Sequence, residues 1–190
     1  MARCLSGRLK RQGKATGVSP WWVTIHYTAG PSLISAVNTF LDPKTRVSAH
    51  LIVDRNGKVV QCVPFDVIAW HAGKSEWKGR TGLNAYSIGI EMVNAGRLDE
   101  VENIEELRSW WGGLYPRSEA LFALDRQKTY WSWWHSYTDV QIKAVEDLCQ
   151  TLMKSYPICY ILGHDEIAPG RKSDPGPTFP LDELKQFLRK

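Results

Sequence analysis

"WWVTIHYTAG", residues 21–30, opens with seven positions of which six are aromatic, β-branched or aliphatic, and then breaks into a turn ahead of Pro31. A run so short, rich in β-formers and closed by turn residues, reads as a buried strand. The next segment, "LISAVNTFL" at 33–41, reads as a short helix. "AHLIVD" and "KVVQCVP" flank "RNG", and an Asn-Gly pair between apolar runs is the strongest short-range hairpin signal. "SIGIEMV" at 87–93 is a further strand, apolar at Ile88, Ile90 and Met92, with Glu91 interrupting on the opposite face. From Thr138 a capping box, Thr-Asp-Val-Gln, opens a helix whose Val145, Leu148, Cys149, Leu152 and Met153 follow helical spacing. "CYILG" at 159–163 is a last short strand, and "LDELKQFLRK" a closing helix. Strands and helices thus mix around one sheet, which predicts a single α/β domain with no internal repeat.

One stretch resists this pattern. Residues 95–137 hold five of the nine tryptophans, and within them "DEVENIEELRSWW" has helical character. So many large aromatics do not suit a solvated loop; they form either a satellite core or part of a substrate wall. The chain therefore divides into a basic N-terminal segment at 1–20 and a domain at 21–190 carrying a Trp-rich insert at about 95–137.

Bulk properties narrow the function classes. The 190 residues are 43% hydrophobic and 23% charged, and no apolar run approaches the roughly 20 residues that cross a bilayer, so no membrane insertion is expected. No secretory signal is readable in the first twenty residues, which suggests cytoplasmic synthesis. Four cysteines at 4, 62, 149 and 159 have no C-x-x-C spacing and read as reduced thiols. A net charge of +4 suits an anionic polymer partner without singling out nucleic acid, and a monomer is expected.

The ionisable groups are concentrated in "GHDEIAPGRKSDPGP", residues 163–177. A hydrolytic zinc ion has three protein ligands drawn from His, Cys and carboxylate, with the fourth position left for water. His26 and His164 each stand at the end of a predicted strand, where sites collect in α/β sheets. Asp174, wedged before "PGP", is the third candidate, and Pro169 and Pro175 restrict the loop that presents it. Taken singly, each has a plainer reading, a hydrogen-bonded structural histidine or a turn aspartate.

Together, "VTIHYTAG", "SAHLIVDRNGKVVQCVPFDVIAWHAG", "GLNAYSIGIEMVN" and "GHDEIAPGRKSDPGP" resemble, in order, the motifs of the N-acetylmuramoyl-L-alanine amidase type 2 family, over residues 21–94 and 138–180. That family includes muropeptide-recycling amidases, phage endolysins and peptidoglycan recognition proteins. The resemblance implies a central mixed β-sheet flanked by helices, Zn2+ held by His26, His164 and Asp174, and hydrolysis of the amide between the lactyl group of N-acetylmuramic acid and L-Ala in peptidoglycan or muropeptides. It further implies Glu91 as general base and proton carrier, and Lys172 as the ammonium that steadies the oxyanion. Relatives with a tyrosine just before the "SAH"-type histidine have Ala49 here, which shifts weight to Glu91.

Arg46, His50, Trp70, His71 and Asn84 fall at positions similar to the family's cleft-lining ones and are expected to contact substrate, while Gly82 stands where some recycling amidases have an arginine. His135 is expected to pack, and Asp165 and Glu166 to be helix-start or loop carboxylates. Between the family's roles the compact chain leans to a phage-type endolysin acting on the cell wall. The alternatives are a cytosolic anhydro-muropeptide recycling amidase and a non-catalytic peptidoglycan-binding module.

Overall fold

A computed structural model describes residues 2–3, 21–102 and 105–186 of the chain. Cys4, the rest of the basic N-terminal segment and the last four residues expected in the closing helix lie outside the described residues. The strands are β1 (Ala2–Arg3), β2 (Trp22–Tyr27), β3 (Leu51–Val53), β4 (Val59–Gln61), β5 (Glu76–Trp77), β6 (Arg80–Thr81), β7 (Ser87–Met92), β8 (Arg97–Glu100), β9 (Glu106–Arg108), β10 (Leu114–Pro116), β11 (Ala120–Leu124), β12 (Trp131–His135) and β13 (Tyr160–Gly163). The helices are α1 (Leu33–Leu41), α2 (Asp139–Ser155), α3 (His164–Ile167) and α4 (Leu181–Lys185). None is long and apolar enough to cross a membrane.

β1, β4, β3, β7, β2 and β13 form one mixed sheet in that order. β2 lies parallel to both β7 and β13, and β3 is parallel to β7 but antiparallel to β4. Apolar side chains alternate to its two faces. Val23, Ile25, Leu51, Val53, Ile88, Ile90 and Met92 pack against Val145, Leu148, Cys149 and Leu152 of α2 and Leu181 and Leu184 of α4. Burying each large aliphatic here stabilises the fold by about 1.5–3 kcal/mol. Ile52 and Val60 face the other way, onto Ala36 and Phe40 of α1. His26 and Glu91 are directly paired across β2 and β7, so both point to the α1 side.

Helix α2 begins where the sequence places it, with the Thr138 hydroxyl accepting from Gln141 N–H. The reciprocal half of the capping box does not form. Gln141 is fully buried and donates its amide to Val53 O and Val93 O at 3.1 and 3.0 Å, tying the helix start to the ends of β3 and β7.

The helix expected in 99–111 is absent among the described residues. β8 and β9 stand there instead, in a five-stranded antiparallel sheet ordered β10, β9, β8, β12, β11. Leu98 and Leu107 turn inward to a small core that Trp111, Tyr115 and Trp133 cover. Asp99 stands opposite Arg108, an opposite-charge cross-strand pair. Tertiary burial of two leucines outweighs the helical preference of the glutamates between them.

Candidate functional site

A cleft of about 640 Å³ opens over the α1 side of the mixed sheet, lined among others by His26, Glu91, His164, Lys172 and Asp174. β2 delivers His26, β13 ends immediately before His164, and the loop after α3 returns Asp174 to them, fastened by Asp165 N–H donating to Asp174 O at 2.8 Å. His26 Nδ1 is 2.9 Å from His164 Nδ1, and Asp174 Oδ2 is 2.9 Å from each. All three residues are buried.

The outer nitrogens decide which protons sit in this triangle. His164 Nε2 lies 3.1 Å from Ala72 O, which only accepts, so Nε2 carries the proton and Nδ1 is bare. His71 Nε2 faces Ser87 O at 3.4 Å, leaving His71 Nδ1 to accept from His26 Nε2 at 2.9 Å. That bares His26 Nδ1 as well. Two imidazole lone pairs and a carboxylate oxygen thus converge, which is repulsive unless a cation or proton lies among them. Tetrahedral zinc with bonds of about 2.0–2.1 Å sets ligands about 3.3 Å apart, so a small outward movement of the three atoms would admit it. The outward N–H bonds are those that orient metal-binding histidines.

The electrostatics agree with this arrangement. Burial, with His164 close by, lowers the His26 pKa to about 4, so the ring is neutral at pH 7. For Asp174 burial pulls upward, but the close approach of the His164 and His26 side chains prevails and holds the carboxyl below its ordinary range. Glu91 goes the other way: burial, then the neighbouring Asp174 charge, raise it well above an ordinary glutamate against the opposing pull of Lys172. Its Oε2 is buried with no hydrogen-bond partner among the described residues, an expensive state for a structural residue.

Residues 16–177 match the N-acetylmuramoyl-L-alanine amidase family model. The chain belongs to that family. Its members are hydrolytic amidases, and the mixed sheet is the family's architecture. The chain is 36% identical over 145 residues to the 1,6-anhydro-N-acetylmuramyl-L-alanine amidase AmpD of Salmonella typhimurium (strain SL1344), covering 75% of this chain and 58% of that protein. The chain thus spans less than two thirds of the length of this curated relative. The solved complex of Escherichia coli AmiD with its substrate anhydro-N-acetylmuramic acid-L-Ala-D-γ-Glu-L-Lys superposes with a TM-score of 0.64 at 32% identity, over 91% of this chain and 60% of that one. The endolysin amidase LysCS of Clostridium intestinale URNW gives a TM-score of 0.58 over 99% and 94% of the two chains, but at 15% identity it shares the fold alone.

The residues expected to contact substrate divide. Trp70 and His71 line the cleft. Arg46, in a left-handed conformation, lays its guanidinium 5.8 Å from the Trp70 ring centroid. His50 and Asn84 are not brought to the cleft wall. His50 is buried, its Nδ1 accepting from Gly89 N–H and its Nε2 donating to Val67 O, so both nitrogens are spent on the backbone. Asn84 Oδ1 accepts from the N–H groups of His71 and Ala72 and thereby shapes the loop that supports His26 and His164. His135 is buried and packs, accepting from Ala95 N–H. Asp165 is a buried partner of Arg126 at 3.1 Å, and Glu166 accepts from Gly163 N–H.

Two contributors lie beyond the sequence reading, and a third, Trp110, belongs to the insert tryptophans read there as satellite core or substrate wall. Gly89 lacks a side chain where the His71 ring rests on β7; a Cβ there would come within 2.5 Å of it. The glycine inside the buried strand run "SIGIE", residues 87–91, is the available signal. Arg171 donates to Ala72 O and Lys74 O at 2.9 and 2.7 Å, steadying the carbonyl that orients His164. Trp110, from the insert, lines the cleft and donates its indole N–H to Ala29 O at 2.9 Å.

Proposed function

We propose that the chain is a zinc-dependent amidase that hydrolyses the bond between the lactyl carbonyl of N-acetylmuramic acid and the L-Ala nitrogen of soluble anhydro-muropeptides. The observation that carries this is the convergence of two bare imidazole nitrogens and a carboxylate oxygen beside a buried glutamate. When bound by His26, His164 and Asp174, zinc supplies Lewis acidity and brings the pKa of a water to about 7. Glu91, whose Oε2 has no hydrogen-bond partner among the described residues, takes the proton of the attacking water and passes it to the departing nitrogen. The C–N bond breaks, leaving a lactyl carboxylate and a peptide with a free L-Ala amine. Lys172, on the cleft wall, offsets the charge that develops on the carbonyl oxygen. Trp70, with Arg46 stacked over it, forms the rim on which sugar or peptide rests.

The endolysin reading gives way to the anhydro-muropeptide one because relatives at 32–36% identity over 70% or more of this chain are named AmpD and AmiD, whereas LysCS supports the fold only. Incubation of the zinc-loaded chain with anhydro-N-acetylmuramyl tripeptide, followed by mass spectrometry, tests the proposal. The expected product is the tripeptide with a free L-Ala amine. Cleavage inside the peptide, or preference for intact sacculi, would overturn it.

A further inference from the structure

The tip of the β11–β12 hairpin reaches across to the loop that carries Lys172, a contact the proposed chemistry leaves unused. Residues 125–130 form a tight turn closed by Lys128 N–H donating to Asp125 O at 2.9 Å, with Lys128 left-handed. Buried Asp125 locks it: its carboxylate accepts from the N–H groups of Gln127, Thr129 and Tyr130 and from the Thr129 hydroxyl. A turn cross-braced in this way holds its outward side chains in one orientation.

Those side chains are Arg126 and Gln127. Arg126 Nε donates to Asp165 Oδ2 at 3.1 Å, fixing the hairpin to the start of α3. Gln127 spans the later part of the loop: its Oε1 accepts from Gly170 N–H and its Nε2 donates to Lys172 O, each at 2.7 Å. One planar amide therefore bridges two backbone groups that flank Arg171. Lys172 N–H is in turn bound to Ala168 O at 3.1 Å, so both backbone polar groups of Lys172 are fixed. With its backbone held on both sides, the lysine side chain has a defined origin from which to enter the cleft.

We propose that Gln127 is a positioning residue: through its paired bonds to Gly170 and Lys172 the insert sets the geometry in which Lys172 presents its ammonium to the reacting carbonyl. This rests on the reading of Lys172 given above. Charge stabilisation by a pre-placed group is sensitive to displacements near 1 Å, so loss of the bridge falls on turnover rather than on substrate or metal binding.

The test is a double-mutant cycle with a second, activity-independent readout. Gln127→Ala should lower kcat on the order of tenfold at unchanged KM and zinc content, and should speed hydrogen exchange at the Gly170 amide. In a Lys172→Ala background the same change should cost nothing further. Gln127→Glu keeps the acceptor for Gly170 but removes the donor to Lys172 O, so it should preserve Gly170 protection while losing kcat. An equal loss in the Lys172→Ala background, full kcat in Gln127→Glu, or unchanged Gly170 exchange in Gln127→Ala would each overturn the proposal. A parent chain that releases no L-Ala peptide would instead overturn the functional reading, since the exchange measurement needs no turnover.

Discussion

The mixed sheet and the five-stranded insert sheet handle carboxylates in opposite ways. In the mixed sheet, acceptors from His26, His164 and Asp174 face one another at 2.9 Å and a Glu91 oxygen is sealed in without a partner among the described residues. In the insert, Asp125 is surrounded by donors, and Trp133 Nε1 and Arg117 both donate to Glu100 Oε1. The first arrangement costs stability and is poised for chemistry; the second is locally self-sufficient. The insert nevertheless touches the cleft through Trp110, and through Gln127 it holds the loop behind it. Chemistry on one sheet and support from the other should be separable by mutation.

The largest separation is expected at the three converging residues. His26→Ala or His164→Ala should abolish both stoichiometric zinc and amidase activity, and treatment of the parent with a chelator should do the same until zinc is restored. Elemental analysis finding full zinc in either variant would break the comparison at its root, because the mixed sheet would then not hold the metal there.

Glu91 comes next. Glu91→Gln removes the proton acceptor while leaving the three converging atoms in place, so zinc content should persist as kcat falls on the order of 100-fold. The substitution also exchanges a buried acid for a neutral amide, so thermal stability should hold or rise at pH 7. Parental turnover in Glu91→Gln would send the search for the base elsewhere.

The two sheets also differ in how far the sequence discloses them. Strands β2 and β7 are read to within a residue of their ends, because parallel strands buried on both faces are near-continuous apolar runs. His26, Glu91, His164 and Asp174 are legible for a related reason: each is an ionisable group in an apolar or proline-stiffened setting. Strands β8 and β9 are not legible, since glutamate-rich segments with leucines at Leu98 and Leu107 satisfy a helical pattern as well as a strand one, and only pairing across the sheet decides. His50 and Asn84 resemble cleft residues in sequence but are turned to backbone groups from distant loops, a choice that no local pattern encodes. Gln127 gives no local sign of its role, which depends on contact with a loop more than forty positions away.

His135 sharpens the contrast on the insert side. Burial, then the positive Arg55 nearby, lowers its pKa to about 3, whereas in the unfolded chain it titrates near 6.5. Between those values the unfolded state binds the extra proton, so stability rises with pH across that window and is lost as pH falls below about 6.5. From pH 7 to pH 5 this one group should remove about 2 kcal/mol of unfolding free energy. His135→Asn keeps an acceptor near Ala95 N–H and removes the titration; urea denaturation should show the pH 7 to pH 5 difference shrinking by about that amount. An undiminished difference would assign the acid sensitivity to the histidines of the mixed sheet instead.

The smallest effect, at Trp110, tests whether the insert also meets substrate. The residue is 75% exposed and its ring stands edge-on to Trp111 at 5.7 Å, so removing it leaves no cavity in a core. Its indole bond to Ala29 O spans from the insert to the loop after β2, on the lip of the cleft. Trp110→Ala should therefore leave melting temperature, zinc content and kcat close to those of the parent. An aromatic face against a sugar ring or the apolar edge of a stem peptide contributes about 0.5–1.5 kcal/mol, which corresponds to a rise in KM of about two- to tenfold. A larger fragment reaches further along the rim, so the rise should be greater for polymeric peptidoglycan than for a short muropeptide. If KM stays at the parental value for both substrates, Trp110 is a strut between the insert and the loop after β2, and the insert serves the cleft only by holding it. If KM and melting temperature shift together on both substrates, the tryptophan belongs to the satellite core that Leu98 and Leu107 anchor, and the substrate wall ends at Trp70.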